Sequence, residues 1–329
     1  MPYTSNFQPK PGPEVSRKQR VSRAARWLAA TATAAYIAVI ALIARGTGLD
    51  YVLFPELGAL AHDVLERPHG TWARAPLMLV LTPALTAVVG SLLTQHLVYG
   101  PVAVLLSVGS SILIMRLLSS PIAPGISAGL LPLSLGIKSW IYAPSILIGT
   151  VLLAGIIVVW GRIAPASKPS TRDLVDDITE RPPARYSWLP FFSGFLVVAA
   201  LLADLTGWRL LLFPPLVVMG FEMFAHPEVC PWARRLFVLP AVCTLTALGG
   251  LVCVSLVGVN PLAAVGGILI GIAVLRAFDL HVPPAIAVGL LPLVVAHPGI
   301  SFPLAVCAGT LLLTLSFQLW RTIAIGRFT

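Results

Sequence analysis

The chain has 329 residues, of which 57% are hydrophobic and only 11% are charged. Soluble domains usually carry about a quarter of charged residues, so this composition excludes a water-soluble fold and indicates an all-α polytopic membrane protein. The net charge of +9 would suit nucleic acid, but its clustering before an apolar stretch is typical of membrane proteins and argues against a nucleic-acid partner.

The first element is a basic tail, residues 1–24, followed by an apolar stretch that begins near Trp27. By the positive-inside rule the tail is cytoplasmic. The late start of the apolar stretch predicts a retained anchor, because a cleaved signal peptide would be apolar closer to the first residue. The predicted location is therefore a cell inner (plasma) membrane.

Residues 25–161 form the first predicted membrane unit, and it contains six apolar segments. These lie near 25–45, 50–65, 75–97, 99–117, 120–137 and 140–161. The second and fifth segments are short and rich in Pro and Gly, so two topologies stay open: six full crossings, or four crossings with two short or re-entrant segments. Both counts are even.

A polar linker, residues 162–186, separates this unit from a second membrane unit at 187–321 and a short tail at 322–329. An even number of crossings in each unit puts the N-terminus, the linker and the C-terminus in the cytoplasm.

The two units match at a shift of 160 residues, which predicts a tandem duplication. Trp72-Ala73-Arg74 falls on Trp232-Ala233-Arg234, Arg116 falls on Arg276, and Gly129 to Leu133 falls letter for letter on Gly289 to Leu293. Parallel repeats of this kind are common in transporters, whose sites lie between the repeats near the middle of the membrane.

The fifth segment of each unit carries the predicted site, because Pro and Gly interrupt a helix at membrane depth there. The residues are Pro124, Gly125 and Gly129 in the first unit and Pro283, Pro284 and Gly289 in the second. A half-helix N-terminus at that depth would attract an anion. The competing interpretation is that these residues only allow close helix packing.

Three ionisable residues join the predicted substrate site, because a charge in a membrane segment is costly to keep. Arg116 and Arg276 directly precede the Pro-rich fifth segments, and we expect them either to face the ligand or to anchor the topology. Glu56 follows Phe54-Pro55, and its predicted role is proton coupling. His62 and Glu66 have metal-ligand spacing but no third ligand, so no metal and no cofactor are predicted. Enzyme motifs are absent, which argues against catalysis.

The second unit resembles the HPP family of membrane proteins, named for a His-Pro-Pro motif. The resemblance rests on His281-Val282-Pro283-Pro284 followed by Gly289-Leu290-Leu291-Pro292, together with the upstream Phe213-Pro214-Pro215 block and the later Trp320. It implies a transport function, with nitrite as the solute of some members, and adds His281 to the predicted substrate site.

The predicted function is therefore a permease or channel for a small solute, with an anion favoured by the paired arginines. Its partners are that solute and the lipid bilayer, as a monomer or a homo-oligomer. The alternative is a membrane scaffold or assembly factor that transports nothing.

Overall fold

The computed structural model describes residues 13–163, 171–180, 183, 186–233 and 235–325, and these residues form helices without any strand. Both chain ends, several linker positions and Arg234 of the matched Trp-Ala-Arg pair lie outside the described residues.

The first half contains helices α1 to α6, and the linker forms α7. Their bounds are Pro13–Thr47, Glu56–Glu66, Pro76–His96, Pro101–Leu117, Pro124–Leu135, Tyr142–Ile163 and, for α7, Thr171–Thr179. Helices α8 to α13 follow at Leu189–Thr206, Pro214–Ala225, Val238–Val257, Pro261–Ala277, Pro283–Val288 and Ser301–Ile325. Several begin with proline, whose fixed φ suits the first helical position and whose missing N–H costs nothing there.

Within the described residues, six helices are long and apolar enough to cross a membrane, namely the Ala24–Thr47 part of α1 and helices α3, α6, α8, α10 and α13. Between 28% and 50% of each apolar window is buried inside the protein. The remaining apolar side chains point outward, which suits contact with lipid rather than water. The described residues are accordingly all-helical, and their six long apolar helices indicate a multi-pass membrane protein.

Contacts between distant residues define the two ends of the helical bundle. The end here called the linker side is marked by four contacts: Arg276 with Arg26, Trp160 with Leu65, Trp72 with Pro121, and Arg116 with Tyr186. The opposite side is marked by two: Gln95 with Lys138, and Arg209 with Tyr99. Each of the six segments of the first half therefore starts at one side and ends at the other.

The second segment of each half is helical only over its later part. After α1 the chain turns at Gly48, whose φ of +70° favours glycine, and forms a short 3₁₀ turn at Asp50–Val52 before α2 begins. The corresponding part of the second half turns at Gly207, with φ of +72°, and forms a 3₁₀ turn at Arg209–Leu212 before α9. Both helices thus begin inside the bundle.

Close helix crossings occur at matching glycines in the two halves. A side chain at Gly90 would collide with the backbone of Gly129, and one at Gly250 would collide with the backbone of Gly289. The Ser107 hydroxyl also donates to the Gly129 carbonyl at 2.9 Å. These contacts favour the packing role that the sequence left open for Gly129 and Gly289.

The fifth segments differ between the halves, although the sequence predicts interruptions in both. Helix α5 continues through Pro132, whereas α12 ends at Val288 and gives way to a 3₁₀ turn at Leu291–Leu293. Proline cannot donate to the carbonyl four residues earlier. In α5 that carbonyl, Ala128, instead accepts the Tyr142 hydroxyl at 2.8 Å.

Candidate functional site

In the described part of the chain, the two halves meet through four helix pairs: α1 packs against α11, α4 against α8, α2 against α12, and α5 against α9. At the linker side of this interface lies a group of charged residues, here called the central ionic cluster. Its members are Asp63, Arg67, Asp177, Glu180 and His281.

Asp63 is the centre of this cluster and its side chain is completely buried. Its Oδ1 accepts hydrogen bonds from Arg67 Nε at 2.9 Å and Nη2 at 2.6 Å, one helical turn further along α2. His281 lies two residues before α12, and its Nε2 is 2.9 Å from the same oxygen. This contact joins the two halves through residues 218 positions apart.

The linker supplies two further carboxylates. Glu180 forms an ion pair with Arg67, and Asp177 accepts the Thr71 backbone N–H and the Arg74 guanidinium, each at 2.9 Å. Residues of the linker are therefore part of the cluster.

Burial, followed by the Asp63 carboxylate, raises the pKa of Glu180 well above its usual range. Arg67 opposes this shift, but its guanidinium is shared with Asp63. Burial and the neighbouring Asp63 carboxylate thus favour the protonated form of Glu180.

Donor atoms of Asp63, Glu180 and His281 lie within 4.8 Å of one another, which is compatible with a metal ion. However, the Arg67 guanidinium contacts both carboxylates and already supplies the positive charge that a metal would bring. The arrangement therefore favours an ionic network over a metal centre. His62 and Glu66 form a separate pair at 3.0 Å.

Glu56 lies apart from this cluster, at the first position of α2. Its side chain is fully buried, and neither carboxyl oxygen has a hydrogen-bond partner among the described residues. The Ser127 hydroxyl of α5 faces it without forming a bond of ordinary geometry. Glu56 and Asp63 are seven residues apart, which places them on the same face of α2 about 10 Å from each other along the axis.

The predicted arginines occupy the rim of the linker side. The Arg116 guanidinium stacks on the Tyr186 ring at 5.0 Å, and that of Arg276 stacks on Trp27 at 4.9 Å and donates to the Arg26 carbonyl at 2.8 Å. Neither forms an ion pair with the central ionic cluster among the residues that the structure describes. Their role towards a ligand stays a prediction.

The Pro and Gly residues of the predicted site are buried on α5 and on α12 with the turn after it. Pro124, Gly125 and Gly129 belong to α5, whereas Pro283 and Pro284 open α12 and Gly289 ends it. The structure thus brings α12 beside α2. Through its contact with Asp63, His281 is the predicted site residue that belongs to the central ionic cluster.

Sequence reasoning missed Asp63, Arg67, Asp177 and Glu180. One signal was present, since Asp63 and Arg67 have the spacing of a helical ion pair near the end of an apolar segment. The partner acids belong to a polar linker whose position against α2 no local pattern predicts.

No protein-family model, no curated protein and no solved structure matches this chain. The resemblance to the HPP family consequently stays a prediction, and the function must be inferred from the site itself.

Proposed function

We propose that this chain is a permease that moves a small solute between its two halves. The observation that supports it best is the hydrogen bond between Asp63 and His281, buried at the interface of the halves in a chain with six apolar helices. Ionisable groups that are buried between packed elements are costly, and in membrane proteins such groups commonly mark ion or solute paths.

The discontinuous second segments support the same proposal. Helices α2 and α9 begin inside the bundle after a turn and a 3₁₀ stretch. Helices interrupted at membrane depth are tolerated where they line a cavity or a pathway, and transporters place their sites there.

We further propose that the halves arose by duplication and are parallel repeats. The reversal after α4 supports this, because Ser119 has φ of +50° and Asp279, 160 positions later, has φ of +48°. The same backbone hydrogen bonds surround both residues. Each half then contributes one discontinuous segment to the path.

The orientation follows from charge. Arginines collect at the linker side, including Arg67, Arg74, Arg116 and Arg276, whereas Arg209 and Lys138 mark the opposite side. By the positive-inside rule the linker side is cytoplasmic, in a cell inner (plasma) membrane.

For the solute we favour a small anion, with nitrite as the first candidate from the family resemblance. The α9 N-terminus supports this choice. Pro215 occupies the position of α9 that corresponds to Glu56 in α2, so the first turn of α9 has no acidic side chain. The positive end of the α9 helix dipole is therefore available to an anion. Arg116 and Arg276 at the rim would attract an anion to the path.

Nitrite uptake into proteoliposomes tests the proposal. Wild-type protein is expected to give initial rates above those of protein-free vesicles. Arg116→Gln combined with Arg276→Gln should insert normally but lose most of this uptake, because the rim then lacks both guanidinium groups. If folded wild-type protein moves neither nitrite nor other small anions and neutral solutes, the permease proposal is wrong and the scaffold alternative gains support.

A further inference from the structure

Glu56 has the surroundings of a site rather than of a structural residue. It is completely buried, and no described residue forms an ion pair or hydrogen bond with either carboxyl oxygen. The Ser127 hydroxyl opposite is also buried without a partner. Two adjacent buried polar groups that form no hydrogen bond of ordinary geometry among the described residues point to a bound species that comes and goes.

The depth of Glu56 in the bundle follows from its neighbours. The backbone just before it reaches α6 at Gly149, beside the Val52 carbonyl, and the Tyr36 hydroxyl donates to the Gly149 carbonyl at 2.8 Å. Tyr36 is halfway along the Ala24–Thr47 apolar stretch. Glu56 therefore lies near the middle of the membrane, where a lone ionised carboxylate is strongly disfavoured.

The groups around Glu56 do not neutralise it. Among the described residues, Tyr142 on α6 interacts electrostatically with Glu56. Tyr142 is neutral, and its hydroxyl donates a hydrogen bond to the Ala128 carbonyl. Ser127 on α5 is neutral, and the nearest acid on the same face of α2, Asp63, is paired with Arg67. A proton is the cation that this site can accommodate without further ligands.

We propose that Glu56 binds and releases the proton that drives transport. This inference rests on the proposed permease function and names its coupling ion. Pro215 occupies the corresponding position of α9, so α9 has no carboxyl there among the described residues, and Glu56 is assigned one proton in each cycle. Transport of one proton together with one monovalent anion in the same direction carries no net charge across the membrane.

The path of the proton towards the linker side follows α2. Asp63 lies on the same helical face as Glu56, about two turns further on, and contacts His281, whose side chain retains 11% of its exposure. The partly exposed His281 side chain therefore reaches water at the linker side. The central ionic cluster, at the linker side, thus lies at the end of this route from Glu56.

The first test needs no solute. Infrared difference spectra of purified protein between acidic and alkaline buffer should contain the carbonyl band of a protonated acid without strong hydrogen bonds. That band should vanish in Glu56→Gln, persist in the exposed Asp204→Asn control, and shift in Glu56→Asp and in Ser127→Ala. A band that is unchanged in folded Glu56→Gln overturns the proposal; if that variant does not fold, an unshifted band in Glu56→Asp does so.

The second test uses nitrite in proteoliposomes, with rates corrected for protein-free vesicles. An inward proton gradient should drive accumulation by wild-type protein, and an imposed membrane potential should not change it. The Glu56→Gln variant should still exchange nitrite across the membrane. Its nitrite accumulation under the proton gradient should fall to the level of protein-free vesicles.

These outcomes separate the two proposals. Wild-type uptake that ignores the proton gradient, follows a sodium gradient instead, or survives unchanged in Glu56→Gln contradicts proton coupling but leaves the permease intact. An absence of any uptake contradicts the permease, and the infrared test still decides whether Glu56 exchanges a proton.

Discussion

At the scale of single residues, the Tyr142 hydroxyl distinguishes the fifth segment of the first half from that of the second. Pro132 and Pro292 occupy matching positions, and each withdraws a hydrogen bond from a carbonyl four residues earlier. Tyr142 supplies the missing donor to α5, whereas Phe302, 160 positions later, has no hydroxyl and α12 ends at Val288. The sequence revealed the prolines, but it could not reveal a donor that arrives from the next helix.

Tyr142→Phe is therefore expected to destabilise the protein by about 1–3 kcal/mol, because the buried Ala128 carbonyl loses its partner. The measurement is the unfolding midpoint of the detergent-solubilised protein. Tyr51→Phe makes the same chemical change on the neighbouring ring, which stacks edge-on against Tyr142, and serves as the control. Equal midpoints for both variants would show that the hydroxyl does not support α5.

At the scale of elements, the sequence predicts the apolar segments well but not the role of the linker. The segment near 75–97 is α3 at Pro76–His96, and the one near 140–161 is α6 at Tyr142–Ile163. Length and hydropathy determine such helices almost alone. The linker was predicted as a polar connector, yet it forms α7 and places Asp177 and Glu180 against α2 and the loop after it. That docking depends on tertiary contacts between charges, which no local pattern encodes.

Docking of the linker is expected to depend on pH. Because burial raises the pKa of Glu180, the docked linker binds a proton more readily than the undocked one. Docking is then strongest below about pH 4.3, the ordinary value for glutamate, and weakens as pH rises through the raised pKa. Trypsin cleavage within the linker should accordingly accelerate with pH in the wild-type protein.

Glu180→Gln is the matched control, since it resembles the protonated side chain at every pH. Its cleavage should stay slow, and the ratio of wild-type to variant rates removes the pH dependence of trypsin itself. A ratio that is constant with pH would mean that Glu180 does not control docking.

At the scale of the whole molecule, the arrangement of the halves is what the sequence left undetermined. Self-comparison predicted matching units, but it could not predict that α2 packs on α12 or that Asp63 meets His281 across the interface. Glu56 was recognised from its cost in a membrane, whereas its unpartnered surroundings became visible only in three dimensions.

The proposed solute path runs between the halves past Glu56. Ser127→Cys tests it most directly, in a background in which the four native cysteines, Cys230, Cys243, Cys253 and Cys307, are replaced. Leu152→Cys on the exposed, lipid-facing side of α6 is the control. We expect a small water-soluble thiol reagent to modify the cysteine at position 127, more slowly when nitrite is present, and to leave position 152 unmodified. A folded, inserted protein whose position 127 is as inert as position 152 would contradict the account.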